Sequence, residues 1–571
     1  MKSYFSLANH AVLGIFCTIT LAGETLSAAT DSNPIMQIGI VQRFGANPQD
    51  RLILKAPAGD RITLSFLAGD GKGKQTLTTD TLVVEIAQQP LDKPLLDEKV
   101  VLSNHRSYEN AAASAYRWNQ EGVETEIVQP KRWQVWAKRS TYSTPLLRRL
   151  LFYSLRLQGN KANLDSKVLQ QQPKASWVVG GFRYNRDLID ISTTQGVLEV
   201  NKRPYAGTFR LQPNAHQSFT LVNYVPLETY LRGVVPHEIG YNAPYASVQA
   251  QAVLARTYAL ASRHRFITDN YELCADTQCQ VYRGLEDTTP TADNAIADTS
   301  GKVLTYNNKV VDALYSSTTG GITANYNDIW DGQERPYLKS VVDSVTNSVD
   351  LKGFDLANEN NFRTFISKRD GFNEVGWEKF RWKSDSSLDE IKSTLRDFLK
   401  LSGDVDTKFN QIKQINITKR SPSGRVLAME VETDTKTITL EKDEIIDAFY
   451  APNSTLFYIQ PIYTEESKPE NKEKQSVPNP STSSSLSPSP NLNPSDASPN
   501  PSPSPGVKIL KGYSFIGGGL GHGVGMSQAG SYNLGKLGWA YDRILDFYFT
   551  GAKLQTLRPE FLSDKVPVNQ R

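Results

Sequence analysis

The sequence has almost no net charge. Its 571 residues include 63 basic and 60 acidic side chains, which leaves a formal net charge of +3 at pH 7. This balance gives no electrostatic reason to expect a nucleic-acid partner or a polybasic membrane anchor. Hydrophobic residues make up 39% of the chain and charged residues 22%, as is usual for a globular protein. The length exceeds one ordinary domain, so two or three globular units are expected.

Long apolar runs are also scarce. The run AVLGIFCTITLAG (11–23) follows Lys2 and is shorter than the ~20 residues that a membrane-spanning helix needs. Small residues follow it in TLSAAT, which predicts a signal peptide over 1–29 that is cleaved after Ala29. A retained membrane anchor is the alternative. We therefore expect an exported protein of the periplasm or cell envelope, with no transmembrane anchor in the mature chain.

Cysteine is also rare, with three residues in the whole chain. Cys17 would leave with the signal peptide, so the mature protein keeps Cys274 and Cys279 in YELCADTQCQVY. In an oxidising compartment this pair is a candidate disulfide. A structural zinc site usually needs about four cysteine or histidine ligands, and His264 is the only histidine nearby. The sequence therefore favours a disulfide over a metal, and no cofactor is predicted.

The first part of the chain has the pattern of β-strands. Residues 36–90 alternate apolar and polar positions in short pieces between glycine-containing turns. RWQVWAK (132–138) is a further strand candidate, and TPLLRRLLFYSLRLQG has the spacing and the ends of a helix. This strand and helix resemble the small peptidoglycan-binding sporulation-related repeat, and they also fit an ordinary αβ unit.

The composition changes abruptly near residue 467. The segment 467–507 is rich in proline, serine and asparagine and has no aromatic residue, so it is predicted to be disordered. Residues 508–556 regain the composition of a folded domain but are too few to hold a core of their own. We expect them to pack back onto the domain that precedes the linker, which would make the linker an insertion.

Two segments near the middle of the chain carry side chains that active sites use. YLRGVVPHEIG (230–240) places Glu238 behind Pro236 at the end of an apolar strand. A rigidly held carboxyl among apolar neighbours can have a raised pKa and act as a general acid. The helix that follows has a stripe of small residues, with Gln251 and Arg256 at its edges. A loop residue and two solvated helix positions are the structural alternatives.

Two later segments are rich in glycine. ALYSSTTGGITANYNDIWDGQERPYL (313–338) surrounds Gly320–Gly321 with hydroxyl side chains, which places backbone N–H groups around a concavity. In GGGLGHGVGMSQAG (517–530), glycines flank His522 and allow unusual backbone angles, which favours a site over a plain loop. No Gly-Lys-Ser/Thr follows, so a phosphate loop is excluded. Ala529 breaks the nucleophile-elbow pattern of a serine hydrolase.

Taken in order, these segments resemble the SpoIID/LytB family, which comprises the sporulation stage II protein D and the amidase enhancers. The resemblance is carried by ETYLRGVVPHEI, QAQAVLARTYA, CADTQCQVYRG, SSTTGGITANYNDIW, PYL and GHGVGMSQAG…LGW…ILDFYFTGAKL. It covers about 205–345 and 513–553. It implies a peptidoglycan lytic transglycosylase in which Glu238 serves as both acid and base, while Glu228 has a supporting role within the same strand.

The resemblance also implies the fold class and the domain organisation. We expect an α+β protein in which a disordered insertion interrupts a mixed α/β catalytic domain. The expected units are a signal peptide (1–29), a β-rich region with one αβ unit (36–200), the first part of the catalytic domain (201–466), the linker (467–507) and the second part of that domain (508–560).

A groove for glycan strands is implied around the acid. Its expected lining is Gln251, Arg256, Ser316, Gly320, Gly321, His522, Ser527 and Gln528. Ser316 stands where many relatives have a histidine. Some family members hold zinc with two histidines and two cysteines, but this chain has Thr268 and Gln278 at the histidine positions. The resemblance therefore implies no metal site here.

Two functions remain open at this stage, and a zinc-stabilised variant is a third alternative. The first is cleavage of peptidoglycan glycan strands to anhydro-muramic ends. The second is non-catalytic binding of peptidoglycan by a protein that activates a separate cell-wall amidase. The expected partners are thus glycan strands and, in the second case, an amidase.

Overall fold

The computed structural model describes residues 33–69, 71–345, 355–403, 407–465 and 508–561. The predicted signal peptide (1–29) and the predicted linker (467–507) lie outside these described residues. Helices and strands are both abundant and the N-terminal part is rich in strands, so the predicted α+β class is confirmed. None of the described helices combines the length and the apolar character needed to cross a bilayer.

The N-terminal part consists mainly of strands. Its elements are β1 (Ile35–Phe44), β2 (Leu52–Lys55), β3 (Ile62–Leu67), β4 (Lys74–Thr79), β5 (Thr81–His105), α1 (Tyr108–Gln120), β6 (Thr125–Val128), β7 (Trp133–Ala137), α2 (Pro145–Leu157), β8 (Asn163–Val179), β9 (Phe182–Arg186), β10 (Ile189–Thr193), β11 (Val197–Val200), β12 (Arg203–Ala206), β13 (Thr208–Pro213) and β14 (Phe219–Pro226).

Helices are more frequent after β14. The central elements are α3 (Leu227–Arg232), α4 (Val235–Ile239), α5 (Tyr245–Ala261), β15 (Leu273–Cys274), α6 (Pro290–Asp298), β16 (Lys302–Tyr306), β17 (Lys309–Val310), β18 (Tyr315–Ser316) and α7 (Tyr326–Ile329). A short 3₁₀ turn covers Ile267–Asp269, and another, Pro559–Phe561, lies near the end of the described chain.

The remaining elements fall into two groups. The first group, which we call the insert, is α8 (Glu359–Ser367), β19 (Trp382–Ser387), α9 (Leu388–Leu401), β20 (Ile412–Arg420), β21 (Val426–Thr433), β22 (Thr437–Glu441), α10 (Glu444–Ala448), β23 (Phe457–Glu465) and β24 (Lys508–Gly517). The second group is β25 (Met526–Ser527), α11 (Gln528–Lys536), α12 (Tyr541–Tyr548) and β26 (Lys553–Thr556).

The first strand of the described residues lies inside a seven-stranded sheet. That sheet has the order β15–β1–β14–β13–β10–β3–β4, with β1 parallel to β15 and antiparallel to β14. Met36 and Ile38 on β1 are fully buried, in the same core as Val253 and Leu254 of α5. The β-rich N-terminal part and the central helices therefore share one hydrophobic core.

A second sheet contains a complete βαββαβ unit. The second half of β5, α1, β6, β7, α2 and the first half of β8 follow one another, and their strands lie in the order β6–β7–β5–β8. The expectation of one αβ unit is corrected, because α1 adds a second helix. Ser107 caps α1 by accepting a hydrogen bond from the Asn110 backbone N–H, and Ala111 is buried beneath the helix. The predicted helix α2 is confirmed, with Thr144 as its N-cap.

The expected strand around YLRGVVPHEIG is wrong. β14 ends at Pro226, and two short helices follow, so Glu228 lies in α3 and Glu238 in α4. The buried positions Leu227, Leu231 and Val234 recur every three to four residues, which is a helical spacing. From the sequence alone, such a run of apolar residues also fits an extended strand.

The predicted helix after Pro244 is confirmed as α5, and it is buried on all sides. Val248, Ala252, Ala255 and Ala259 form the expected stripe, and none of them is more than 4% exposed. Small side chains allow α4, α6, α11, α12 and β16 to pack closely around one helix. Polar residues of α5 are therefore drawn into the core together with the apolar ones.

The insert has a hydrophobic core of its own. Leu395 on α9, Val431 on β21 and Phe515 on β24 are fully buried in a cluster separate from the main core. The strands form a β19–β24–β23 sheet and a β20–β21–β22 meander. A distinct core in this region was not expected from the sequence.

After the insert, the chain returns to the central fold. β25 pairs in parallel with β18, and β26 pairs antiparallel with β16. α11 and α12 pack against α5, and Met526 and Leu534 are fully buried there. Residues 518–561, which follow the insert in the sequence, thus complete the central core.

Cys274 and Cys279 are joined by a disulfide bond. Their Cα atoms are 5.6 Å apart and five positions apart in the sequence. Cys274 lies on β15 and is fully buried, while Cys279 follows a turn that starts at Asp276. The bond therefore ties the turn to the edge of the seven-stranded sheet.

We expect the double variant Cys274→Ser/Cys279→Ser to have a free energy of unfolding about 2 kcal/mol lower, because a short loop is no longer closed in the unfolded chain. Guanidinium unfolding measures the difference. The control is the wild type under reducing conditions, which should lose a similar amount while the variant does not respond to reductant. Equal stability of variant and wild type would show that the bond contributes nothing.

Candidate active site

Helix α4 and two neighbouring segments hold Glu238 in place. The Val281 backbone N–H donates to Glu238 Oε1 at 2.7 Å. The Gln528 side chain donates to the backbone carbonyl of Glu238 at 2.9 Å, and Tyr532 Oη donates to the Ile239 carbonyl at 2.6 Å. Both of these donors lie on α11, so a helix from beyond the insert fixes the backbone that carries the carboxyl group.

Burial raises the pKa of Glu238 from 4.5 to about 7. Hydrogen bonds from Val281, Gln528 and Tyr315 act in the opposite direction but do not offset the desolvation of the carboxylate. The side chain still keeps a partly exposed surface. Near neutral pH the group is present in both protonation states, which is what an acid that later acts as a base requires.

Glu238 opens into a cleft of about 680 Å³. Three parts of the chain form its walls: the start of α1, the central domain, and the insert between α10 and β23. The residues that the walls contribute include Ser107, Tyr108, Tyr258, Arg265, Gln278, Tyr315, Ser316, Trp330, Asp443, Asn453, Thr455, Gly521, His522 and Gln528. The cleft therefore combines the expected central residues with residues from regions outside the resemblance.

His522 is a neutral part of the cleft wall. Its Nδ1 accepts a hydrogen bond from the Val524 N–H at 3.0 Å, so a ring proton resides on Nε2. Burial lowers the pKa of His522 to about 4. The ring packs against Trp330 with 5.0 Å between ring centroids. The glycine-flanked segment thus presents an uncharged imidazole and supports an aromatic surface beside it.

Ser316 and Gln528 also lie at the cleft. Ser316 is on β18, where it pairs with Ser527 of β25, and its Oγ has no hydrogen-bond partner among the described residues. Gln528 contacts Gln251 with 3.5 Å between Nε2 and Oε1 in addition to its bond to Glu238. The structure therefore brings four predicted residues to one cavity: Glu238, Ser316, His522 and Gln528.

The glycine pair and Ser527 have a different role from the expected one. They surround the carboxylate of Glu374, an insert residue between α8 and β19 that is fully buried. The five donors are the N–H groups of Thr319 (2.5 Å), Gly320 (2.8 Å) and Gly321 (3.0 Å) and the hydroxyls of Thr319 (2.8 Å) and Ser527 (2.5 Å). We call this group the Glu374 nest.

The Glu374 nest corrects three site assignments. Gly320 and Gly321 have φ angles of +76° and +86°, which turn their N–H groups toward one point. The concavity predicted from the glycine pair exists, but a side chain of the same protein fills it. Because Gly320, Gly321 and Ser527 are also absent from the cleft wall, they hold the insert to the central domain and do not line the groove.

The sequence predicts that Arg256 and Gln251 emerge at the edges of α5, but both side chains are buried. Arg256 is fully buried, and Nε and Nη2 each donate to a Glu228 carboxylate oxygen at 2.7 Å. Its other bonds go to the carbonyls of Lys302 and Ile296. Gln251 is fully buried behind Gln528. The expected exposure at the edges of α5 is wrong, because neighbouring elements cover that helix on all sides.

Several cleft residues were not predicted from the sequence. Asp443 of the insert accepts hydrogen bonds from Ser107 Oγ at 2.7 Å and from Asn110 Nδ2 at 2.8 Å, at the start of α1. Burial raises the pKa of Asp443 to about 7. Arg265 pairs with Glu109 at 2.5 Å beside the same helix. None of these residues lies in a motif that the sequence predicted as part of a site.

The side chains around the disulfide do not fit a zinc site. Both cysteine sulfurs are bonded to each other, so neither is a free thiolate ligand. Gln278 accepts a hydrogen bond from Trp133 Nε1 at 3.1 Å, and the His264 ring packs against Tyr108. Among the residues that the structure describes, no group of three or more histidine, cysteine or acidic side chains could hold a metal.

Glu238 lies within a segment that matches a known family model. Residues 215–306 match the family model described as Stage II sporulation protein. They contain Glu238, Val281 and the disulfide, so this segment is similar to a SpoIID-type domain. Residues 324–474 match a second model, described as Domain of unknown function (DUF8618), which covers most of the insert.

Known relatives extend the match to the SpoIID/LytB family, and the predicted resemblance is confirmed. The Amidase enhancer of Bacillus subtilis (strain 168) is 23% identical over 490 residues, which are 80% of this chain and 61% of that protein. The Stage II sporulation protein D of the same organism is 35% identical over 135 residues, 21% of this chain and 39% of that protein. An uncharacterized protein of Brachyspira hyodysenteriae is 31% identical over 161 residues, 27% of this chain and 42% of that protein. The chain thus spans about two to three fifths of these relatives.

We expect Glu374→Gln to have a free energy of unfolding about 3 kcal/mol lower, because an amide nitrogen would face buried donors and leave them unsatisfied. Guanidinium unfolding measures the loss. The matched control is Glu378→Gln, four positions away, whose side chain is 84% exposed. Similar stability of the two variants would show that the nest does not hold the insert.

The raised pKa of Glu238 predicts a pH-dependent stability. Between about pH 4.5 and 7 the folded protein keeps a proton that the unfolded chain releases, so this contribution is complete below pH 4.5 and is lost as the pH rises through 7. Unfolding at pH 5 and pH 8 should show that Glu238→Gln gains stability relative to the wild type at the higher pH. A difference that does not depend on pH would contradict the raised pKa of Glu238.

Proposed function

We propose that the protein acts in the cell wall as a lytic transglycosylase that cleaves peptidoglycan glycan strands. One observation carries the proposal: the carboxyl group of Glu238 has a pKa near 7, is held by a backbone donor on Oε1 and reaches a cleft large enough for sugar rings. Its segment matches the stage II sporulation protein model. The place of action that fits this function is the periplasm or cell envelope, where the predicted signal peptide would direct the chain.

In the first step Glu238 donates its proton to the glycosidic oxygen as the bond to the anomeric carbon breaks. The Glu238 carboxylate then takes the proton of the muramic acid C6 hydroxyl, whose oxygen bonds to the same anomeric carbon. The product is a 1,6-anhydro sugar, and no water is consumed. The acid is regenerated at the end, so one carboxyl group suffices for both proton transfers.

The two other carboxyl groups of the cleft, Asp443 and Glu109, have partners within the protein, which supports a one-acid reaction. Asp443 accepts hydrogen bonds on both of its oxygens from the start of α1, which gives it a structural task. Ordinary glycosidases use two carboxyl groups that flank the scissile bond and are both available for chemistry. Glu238 has only its Oε1 held by a backbone donor and remains partly exposed to the cleft.

The walls of the cleft provide uncharged contacts for a sugar. Ser316 and Gln528 carry polar groups that can bond hydroxyl or acetamido groups, and Trp330, which is 5% exposed, adds a small apolar contact. The neutral His522 adds no positive charge near the acid, so it does not lower the pKa of Glu238. These contacts would orient the strand while burial keeps Glu238 protonated.

A second function has its own support. The relative named Amidase enhancer aligns with 80% of this chain, including most of the N-terminal part. A protein that binds peptidoglycan through the same cleft and activates a separate amidase would need no catalytic acid. This function predicts that replacing Glu238 leaves the biological effect in place as long as glycan binding persists.

We expect Glu238→Gln to lower the rate of glycan cleavage by roughly 10³-fold, because the amide cannot donate the required proton. Purified glycan strands are incubated with each protein, and mass spectrometry identifies the new sugar ends. The wild type should produce anhydro-muramic ends, with a rate that falls above about pH 7 as Glu238 loses its proton.

Glu430→Gln, an exposed position on β21, serves as the control and should cleave like the wild type. If the wild type produces no anhydro-muramic ends but accelerates a purified cell-wall amidase, the enzyme proposal fails and the activator function holds. Hydrolytic ends in place of anhydro ends would also overturn the mechanism.

A further inference from the structure

A second cavity of about 880 Å³ adjoins the first. The two cavities have five lining residues in common: Tyr108, Glu109, Tyr258, Arg265 and Leu314. At this junction the guanidinium of Arg265 lies over the ring of Tyr108, 4.7 Å from its centroid, and pairs with Glu109. A polymer that leaves the first cavity on this side meets the second one directly.

One wall of the second cavity comes from the N-terminal part of the chain. That wall is the outer face of α1, from Tyr108 to Gln120, which belongs to the βαββαβ unit. The opposite side consists of the β16–β17 turn and residues 331–337. The end of α5 forms the floor between them. The N-terminal unit therefore helps to shape both cavities.

Three arginines of the second cavity are paired with acidic side chains. Arg117 pairs with Asp331 at 3.4 Å, Arg265 with Glu109 at 2.5 Å, and Arg335 with Asp312 at 2.6 Å. A site that binds the carboxylates of peptide stems would need cations without such internal partners. The three arginines of this cavity therefore favour an uncharged ligand.

The exposed groups of the cavity suit sugars. Gln120, Asn307 and Gln333 present amides, which both donate and accept hydrogen bonds. Tyr116 on α1 is 45% exposed and offers a flat ring with a polar hydroxyl. Hydroxyl and acetamido groups on a ring with one apolar face match this combination of amides and an open aromatic surface.

We propose that the second cavity is an extension subsite, in which sugars farther along the same glycan strand bind between α1 and the β16–β17 turn. This inference rests on the proposed function, because it assumes that the strand occupies the first cavity. It assigns the N-terminal βαββαβ unit a direct part in substrate binding. It also predicts that strands long enough to fill both cavities bind more tightly than short ones.

The test measures binding without cleavage. In the Glu238→Gln protein, the affinities for purified peptide-free glycan strands and for a short glycan tetrasaccharide are compared by fluorescence anisotropy. Tyr116→Ala should weaken binding of the long strands roughly two- to tenfold, through loss of ring contact, and leave the tetrasaccharide unaffected. The matched control is Tyr153→Ala on α2, a tyrosine that is 61% exposed and lies outside both cavities.

Each other outcome overturns the inference. Equal losses for long and short ligands would place the effect in the first cavity or in the fold, and no loss would remove the subsite. A loss confined to strands that keep their peptide stems would make the second cavity a peptide site. The proposed reaction fails separately: if the wild type yields no anhydro ends while the length-dependent loss persists, the subsite stands and the lytic mechanism does not.

Discussion

The arrangement of the cleft depends on one buried carboxylate that does no chemistry. Glu374 accepts five hydrogen bonds from the central domain and thereby joins the insert to the start of α11. An ionised group can be buried only when donors replace its hydration, and here backbone N–H groups supply most of them. Because α11 also holds the backbone of Glu238 through Gln528, the insert and the proposed acid are mechanically linked.

The cleft joins three units that have different tasks. The SpoIID-type segment supplies the acid and its backbone donor, whereas the N-terminal unit and the insert supply much of the wall. These two outer units also contact each other directly, since Arg106 and Arg132 of the first pair with Asp447 of the second. Substitutions in the outer units would therefore alter the cleft wall without removing Glu238 or its backbone donor.

Local patterns in the sequence predicted much of the fold and part of the site. Helix α2 has a threonine cap and α5 a stripe of small residues, and both signals depend only on neighbouring positions. Glu238, His522 and Gln528 were found because each lies in a short motif with a specific pattern. Such motifs can be recognised from neighbouring residues alone, without knowing how distant segments pack.

What the sequence did not reveal depends on contacts between distant segments. Nothing near Glu374 marks it as the occupant of a glycine turn more than fifty positions earlier. Arg256 has the spacing of a flank residue, and only the packing of α3 and α6 around α5 shows that it is buried. The two short helices α3 and α4 were missed because six-residue and five-residue helices leave too little periodicity to distinguish them from a strand.

The hairpin of β23 and β24 has a practical consequence. Glu465 and Lys508 are direct partners across the hairpin, although 42 residues separate them in the sequence. When two chain positions are fixed side by side, doubling the length of the segment that joins them costs only about 0.6 kcal/mol of loop-closure entropy. The segment between β23 and β24 is therefore a suitable site for an inserted domain. A reporter or a wall-anchoring module could be inserted there without a change in the surrounding fold.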